Sequence, residues 1–338
     1  MPMPTTELTP WSARIGWSDL PEQVRSGVEQ ILGASVVEAT GQQGGFSPGT
    51  ADRVRTATGR RAFVKAVSAA LNSSSPEIHR KEAAVTAQLP LSLPVAHWIG
   101  MFDDGEWVAL VLEDIEGRSP QTPWQSAELQ LVLEALLEIA EAPVPVGSVF
   151  QRGLTQLPRL EEELRESFAG WTRLKEASFP VSDPWAARHL DRLEELAARG
   201  LSYLPGESLV HTDVRADNIL LIADADAAGS AGGVQQADRA VLVDWPWACH
   251  GVSWMDALTL LVNVRVFDPA FDVEEVLASH PVFAPATDDG VSAVLAGLAA
   301  YLVDAARLPA PEGLPTLRSF QQRQGEAILA WLRERTDW

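Results

Sequence analysis

A single cysteine, Cys249, is all the thiol chemistry available to the 338 residues. No internal disulfide and no thiolate metal cluster can form, so the fold rests on packing. Cys249 itself reads as a buried, bland thiol rather than a reactive one. No apolar run approaches about 18 residues, and the start, MPMPTTELTPWSARIGW, has neither a basic stretch nor an apolar block. Both absences point away from a membrane span and a secretory signal, with the cytoplasm as the expected location. Basic residues are also scarce: 26 Lys and Arg stand against 46 Asp and Glu, a net charge of -20. Such a surface repels a polyanion, which makes nucleic acid a poor partner. The acid excess serves either solubility or a field that attracts cationic substrates. What the chain does have is 46% apolar and 21% charged residues, enough for a sizeable core in one bilobal enzyme or two ordinary domains.

The first ~18 residues read as a loosely held tail, after which Ser18 can cap DLPEQVRSGVEQILG as an amphipathic helix ending at Gly33. The period then changes. Segments ASVVEAT, ADRVRTAT, RAFVKAV, PVAHWIGMF and EWVALVLED read as strands, with TGRR and DDGE as turns. Between the third and fourth, PEIHRKEAAVTAQL starts at Pro76 and spaces Ile78, Ala83, Val85 and Leu89 as a helix does. The expected product is a five-stranded antiparallel sheet with one helix inserted after strand three. From Gly117 onward, SAELQLVLEALLEIAEA, LEEELRESFAGWTRLKEA, PWAARHLDRLEELAARG, VSAVLAGLAAYLVDAARL and LRSFQQRQGEAILAWLRERT each carry an apolar stripe. Short strand-like runs interrupt them at SLVHTD, NILLIAD and RAVLVDW. The Ala/Gly-rich ADADAAGSAGGVQQAD reads as a surface loop between two of these runs.

Four groups of residues carry chemistry. In His211-Thr-Asp213-Val-Arg215-Ala-Asp217-Asn218, the H-x-D-x-x-x-x-N spacing follows an apolar run and sets a carboxylate and an amide at one end of a loop. In a kinase catalytic loop, an aspartate so placed accepts the substrate hydroxyl's proton and the asparagine ligates magnesium. Asp and Asn in the same positions can also simply cap a turn. Further on, the strand-like AVLVDWPWA delivers Asp244 at its end, where an acid can hold a hard cation or merely start a turn. The loop GQQGGFSPGT brings Gly44, Gly45, Phe46 and Ser47, whose backbone N–H groups and hydroxyl suit a phosphate, although a glycine-rich hairpin is more often only a turn. Lys65 sits mid-strand between apolar neighbours, an awkward place for an unpaired charge. Glu82 on the following helix can neutralise it and aim the ammonium at α and β phosphates. The alternative is an edge-strand lysine facing solvent.

Together the four groups make the chain resemble the aminoglycoside-phosphotransferase and choline-kinase superfamily, the small-molecule branch of the protein-kinase-like fold, from about Gly41 to Asp256. The resemblance implies an α+β bilobal architecture, with residues 1–116 as the nucleotide-binding lobe and residues 117–338 as a mainly helical catalytic and substrate-binding lobe. It implies ATP or GTP as co-substrate and Mg2+ as cofactor, with the nucleotide in the cleft between the lobes. Lys65 and Glu82 would form the ion pair, Glu113 to Ile115 the hinge whose backbone reads the purine, Asp213 the base, and Asn218 and Asp244 the metal ligands. Asp256, in SWMDALTLL, resembles an acid of these enzymes that serves structure. Arg215 occupies the place of a lysine near the transferring phosphate in protein kinases, where a guanidinium can stabilise charge on the γ-phosphoryl oxygens or only bridge surface carboxylates. His211 reads as structural, because Asp213 is the better-placed acceptor.

The family pattern is broken at three points. Thr212 follows the motif histidine where many relatives have Gly, the Asn218 to Asp244 interval is long, and Trp245-Pro246-Trp247 follows the metal-strand acid where small or polar residues are commoner. The implied acceptor is a small-molecule hydroxyl on an antibiotic of aminoglycoside, macrolide or nucleoside type, inactivated by the transfer, with neither nucleic acid nor a membrane as partner. Trp124, Trp171, Trp185, Trp247 and Trp254 are candidates for stacking on its ring, although most tryptophans of a chain with 12 belong to the core. A housekeeping metabolite kinase and a catalytically silent nucleotide-binding regulator are the competing readings. No D-F-G or A-P-E segment marks a protein kinase.

Overall fold

The computed structural model describes residues 14–42, 49–142, 157–223, 238–311 and 314–338. Its chain divides into two compact units. One takes the chain up to Ala83, then Trp98–Asp114 and Ala310–Thr316, and the other takes Ala84–His97, Ile115–Pro309 and Leu317–Trp338.

In the first unit, helix α1 (Glu22–Leu32) precedes strands β1 (Val36–Gly41), β2 (Thr50–Thr56) and β3 (Arg61–Ser68), then helix α2 (Ser75–Thr86), β4 (Trp98–Asp103) and β5 (Trp107–Leu112). The five strands form one antiparallel sheet in the order β1-β2-β3-β5-β4, with the single helix after the third strand as the periodicity anticipates. Helix α1 starts later than the Ser18 cap suggested. Residues Trp17–Asp19 make a short 3-10 turn instead, and the helix begins behind Pro21, whose ring presets the backbone entering the first turn. It ends at Gly33, at φ +80, as expected for a glycine stop. Val24, Val28 and Leu32 bury one stripe of α1 against Val54, Ala62, Val64, Ala66, Ala109 and Val111. Alternation along β3 then sends Phe63 and Lys65 to the opposite face, where Phe63 meets Ala83 of α2 and Leu110 and Leu112 of β5.

The second unit contains helices α3 (Ser126–Glu141), α4 (Leu160–Glu163), α5 (Arg165–Phe168), α6 (Gly170–Glu176), α7 (Pro184–Arg188) and α8 (Leu190–Gly200). Strands β6 (Ser208–Val210), β7 (Ile219–Ile222), β8 (Arg239–Leu242) and β9 (Cys249–Gly251) follow, then α9 (Met255–Phe267), α10 (Val273–Ser279), α11 (Asp288–Ala306) and α12 (Leu317–Arg335). β6 pairs antiparallel with β9, and β7 with β8. Two expected single helices are broken. The stretch 160–177 becomes α4, α5 and α6, and the stretch 184–200 bends at His189. Strand β9 and helices α9 and α10 had no counterpart in the sequence reading. Helix α9 carries no amphipathic stripe, because nearly every residue from Met255 to Arg265 is buried, and a helix apolar all round leaves no 3.6 signal.

Helix α11 is the second unit's central element, packed against α6, α8 and α12. By length and composition it could cross a bilayer, which the expectation of no such apolar run overlooked, yet two-thirds of it is buried inside the protein. Ala293, Gly297 and Ala300 recur on one face and let neighbours approach its backbone. A methyl added at Gly200 of α8 would sit 2.6 Å from the Ala293 carbonyl oxygen, and one at Gly170 of α6 would strike the Ala300 carbonyl. Gly200→Ala is therefore expected to destabilise the protein by about 1–3 kcal/mol, overpacking outweighing the better helix propensity of alanine. Chemical denaturation giving an unchanged midpoint would contradict this close helix contact.

Candidate active site

Local pairing assembles the motif residues of the second unit. Ile219 of β7 sits opposite Leu242 of β8, and just beyond that pair the Val243 N–H donates to the Asn218 carbonyl at 3.0 Å. The strand ends thereby hold Asn218 and Asp244 as neighbours, although the segment connecting the strands, 224–237, lies outside the described residues. Asp244 has φ +72, a left-handed backbone that aspartate tolerates better than most residues.

The backbone of the His211–Asn218 loop hangs on Asp256, near the start of α9. Its buried carboxylate accepts the N–H of His211 at 2.6 Å and of Thr212 at 2.9 Å. Burial pushes the Asp256 carboxyl up, while His211 and the two amides oppose the rise. His211 is fully buried, and burial lowers its pKa despite the nearby Asp256. Its Nε2 donates to the Val243 carbonyl at 2.9 Å while Nδ1 accepts the Asp213 N–H at 3.2 Å, which defines a neutral tautomer and a structural role. Trp245, also fully buried, sets its ring edge-on to the imidazole at 4.5 Å. Thr212 has φ +69, where a glycine would be unstrained, and its hydroxyl donates to the Trp247 carbonyl at 2.9 Å, offsetting the strain of a β-branched side chain there.

Asp213 faces two partners. Arg215 Nη1 donates to both its carboxylate oxygens, at 2.7 and 2.9 Å, and Asn218 Nδ2 donates to Oδ2 at 3.1 Å and to the Asp213 carbonyl at 2.9 Å. Burial pushes the Asp213 carboxyl up to about 6. Arg215 pulls it down, Asp217 and Asp244 add to the rise, and the Asn218 hydrogen bond opposes it. The side chain nonetheless keeps 30% of its exposure, so solvent reaches it. Arg215 also grips Asp217 through Nε and Nη2, both at 2.9 Å. Burial works against its charge, but Asp213, Asp217 and Asp244 together hold the guanidinium above its ordinary pKa.

Asn218 and Asp244 are oxygen donors of the kind that suit Mg2+, which takes one or two protein ligands and completes its shell with phosphate and water. Among the described residues no three His, Cys, Asp or Glu side chains form a cage of their own. One amide oxygen and one carboxylate are a donor set that fits such an ion.

In the first unit, Lys65 Nζ lies 2.9 and 3.0 Å from the two Glu82 carboxylate oxygens. Glu82 is 1% exposed and Lys65 17%. Because β3 is the middle strand, Lys65 is no edge-strand lysine. Glu113, exposed, and Ile115, partly buried, follow directly on β5, and between them Asp114 accepts hydrogen bonds from Arg53 and Arg61. Gly44, Gly45, Phe46 and Ser47 lie outside the described residues.

The sequence pattern of the APH phosphotransferase enzyme family matches residues 43–288, well over half the chain. The chain belongs to this family. It is a small-molecule kinase, a phosphotransferase acting on hydroxyl acceptors. Solved structures similar to it include a thermostable mutant of the aminoglycoside phosphotransferase APH(4)-Ia in ternary complex with ADP and hygromycin B, at 15% identity and TM-score 0.55, covering 91% of this chain and 98% of that one. Another is described as a fructosamine-3-kinase from Haemophilus somnus 129PT, at 15% identity and TM-score 0.53, covering 90% of this chain and 96% of that one. A third is a GDP complex of an aminoglycoside 2'-phosphotransferase, type IIIa, at 13% identity and TM-score 0.54, covering 92% and 95%. Among curated proteins there is no match. These likenesses give the protein-kinase-like fold, with the five-stranded antiparallel sheet and the helical C-terminal part of this family.

Of the five tryptophans that were candidates for stacking on an acceptor, Trp124, Trp171, Trp185 and Trp254 of this phosphotransferase are core residues. Trp247 is the exception at 45% exposed. The sequence flagged Trp245 and Trp247 as a pair but carried no signal for which would be buried on His211 and which would face out. The Asp256 anchor makes a direct prediction. Asp256→Ala leaves two buried N–H groups without acceptors and should cost about 2–4 kcal/mol, whereas Asp256→Asn keeps one carbonyl acceptor and should cost roughly half. Thermal unfolding of both variants checks the order, and an alanine variant as stable as wild type would refute it.

Proposed function

We propose that this chain transfers the γ-phosphoryl group of ATP or GTP, with Mg2+, to a hydroxyl of an antibiotic and so inactivates it. The observation that carries the reading is the catalytic loop, in which the lifted Asp213 carboxylate is held by Arg215 and Asn218 with Asp244 beside them. In this reading Asp213 orients the acceptor hydroxyl and takes its proton, and a carboxyl raised toward neutrality is a stronger base than an ordinary one. Arg215 stabilises charge on the transferring group. Asn218 and Asp244 hold Mg2+, which when bound neutralises the triphosphate's charge. Lys65, oriented by Glu82, holds the α and β phosphates. Gly44, Gly45, Phe46 and Ser47 contribute to phosphate binding, and the backbone from Glu113 to Ile115 reads the purine. Residues 1–116 serve as the nucleotide lobe and 117–338 as the catalytic lobe. Solved complexes of similar fold with ADP and GDP support a nucleotide co-substrate.

For the acceptor, Trp247 supports a ring-bearing compound. Its carbonyl takes the hydroxyl of Thr212, the residue before the base, and its indole is exposed. A macrolide or nucleoside type fits an aromatic wall more directly than a polycationic aminoglycoside, which calls for carboxylates. The fold's likeness to a protein described as a fructosamine-3-kinase keeps a metabolite acceptor as the second reading. Incubating the protein with ATP or GTP, Mg2+ and a panel of hydroxylated antibiotics and metabolites, read by product mass, separates the two. Phosphate added only to metabolites would overturn the antibiotic reading.

Asp213→Asn is expected to lower turnover by about 10² or more while leaving triphosphate affinity nearly intact. Turnover within a few fold of wild type would remove Asp213 as the base. Lys65→Ala should raise the triphosphate KM by about tenfold or more, and unchanged kinetics would take Lys65 out of the site. Chelating the divalent ion should stop transfer altogether, measured as loss of phosphorylated product.

A further inference from the structure

Helix α12 begins well past residue 288, where the family pattern ends, yet it reaches the catalytic loop. Phe320, in its first turn, places its ring 5.7 Å from the Arg215 Cζ and is 8% exposed. The edges of the Arg215 guanidinium are already taken, Nη1 by Asp213, Nε and Nη2 by Asp217. Carboxylates at the edges fix the plane's direction but leave it free to tilt. An aromatic ring beneath the guanidinium carbon restricts that freedom, because the cation is attracted to the ring's negative face. Tyr301 of α11 joins the same support. Its hydroxyl accepts from Gln321 Nε2 at 3.2 Å, and Gln321 Oε1 accepts from Arg318 at 2.8 Å, which ties the first turn of α12 to α11.

We propose that Phe320 is a positioning residue for phosphoryl transfer, holding the Arg215 guanidinium over its ring so that Nη1 stays on Asp213 and the cation is preorganised for the transferring group. The kinetic part of this inference rests on the kinase reading given above. The structural part does not, since it concerns only the contact between Phe320 and Arg215.

The test therefore has two arms. In the ligand-free protein, the Arg215 Nε–H signal in a 15N-edited NMR spectrum is identified by its disappearance in Arg215→Lys. It should be well dispersed in wild type, collapse toward the exposed-arginine envelope in Phe320→Leu, and persist in Phe320→Tyr. Phe320→Met gives the same readout if the leucine variant does not fold. In the second arm, the probe is Mg-ATP with water as acceptor, followed by phosphate release. Phe320→Leu should lower turnover about tenfold with the ATP KM within twofold of wild type, Phe320→Tyr should restore turnover to within twofold, and Phe320→Leu should have no further effect in an Arg215→Gln background. An Arg215 signal unmoved by Phe320→Leu overturns the proposal, as does an equal loss of turnover in both backgrounds. Absence of phosphate release from wild type counts against the kinase reading instead and leaves the NMR arm to decide this one.

Discussion

One buried carboxylate organises the loop from His211 to Asn218. Asp256 accepts consecutive backbone N–H groups from His211 and Thr212, and those amides can converge on one side chain only because Thr212 turns through a left-handed conformation. Everything downstream inherits that turn. The Asp213 amide is aimed at His211, the His211 ring is aimed at Val243, and Val243 in turn fastens to Asn218. A polar chain of this kind is stable in a buried setting because every link is satisfied, and it is unforgiving for the same reason. Trp245 seals it by filling the space beside the imidazole.

Charge in the loop is arranged around a single cation. Asp213, Asp217 and Asp244 would repel one another in a site that burial already makes unfavourable for carboxylates, and Arg215 is the group that makes their proximity tolerable. The balance is incomplete, which is why the Asp213 carboxyl still sits near 6. The other charged pair, Lys65 and Glu82, follows a simpler rule: a lysine on a central strand is held by a carboxylate that is almost wholly buried.

Much of this was legible in the chain. The first unit's strands alternate apolar and polar residues with turn residues between them, so the order of five strands and one helix could be written down directly. The spacing of His211, Asp213 and Asn218, followed by Asp244 behind an apolar run, marked the loop before any coordinates. Helix α9 was invisible because burial on all sides erases periodicity, and β9 because its residues, Cys-His-Gly, form no apolar run. The breaks inside 160–177 and at His189 were equally hidden, since an apolar stripe continues across a bend that tertiary packing imposes.

The sequence by itself determined the chemistry: which side chains can donate, accept or carry charge, and in what order along the chain, because these are properties of residue types and short spacings. Only the tertiary structure decided which of them meet. Trp245 is inside and Trp247 outside although they are two residues apart, and Phe320 lies on Arg215 although more than a hundred residues separate them. Such contacts arise from how helices and strand ends pack, and packing is a long-range outcome that no local pattern encodes.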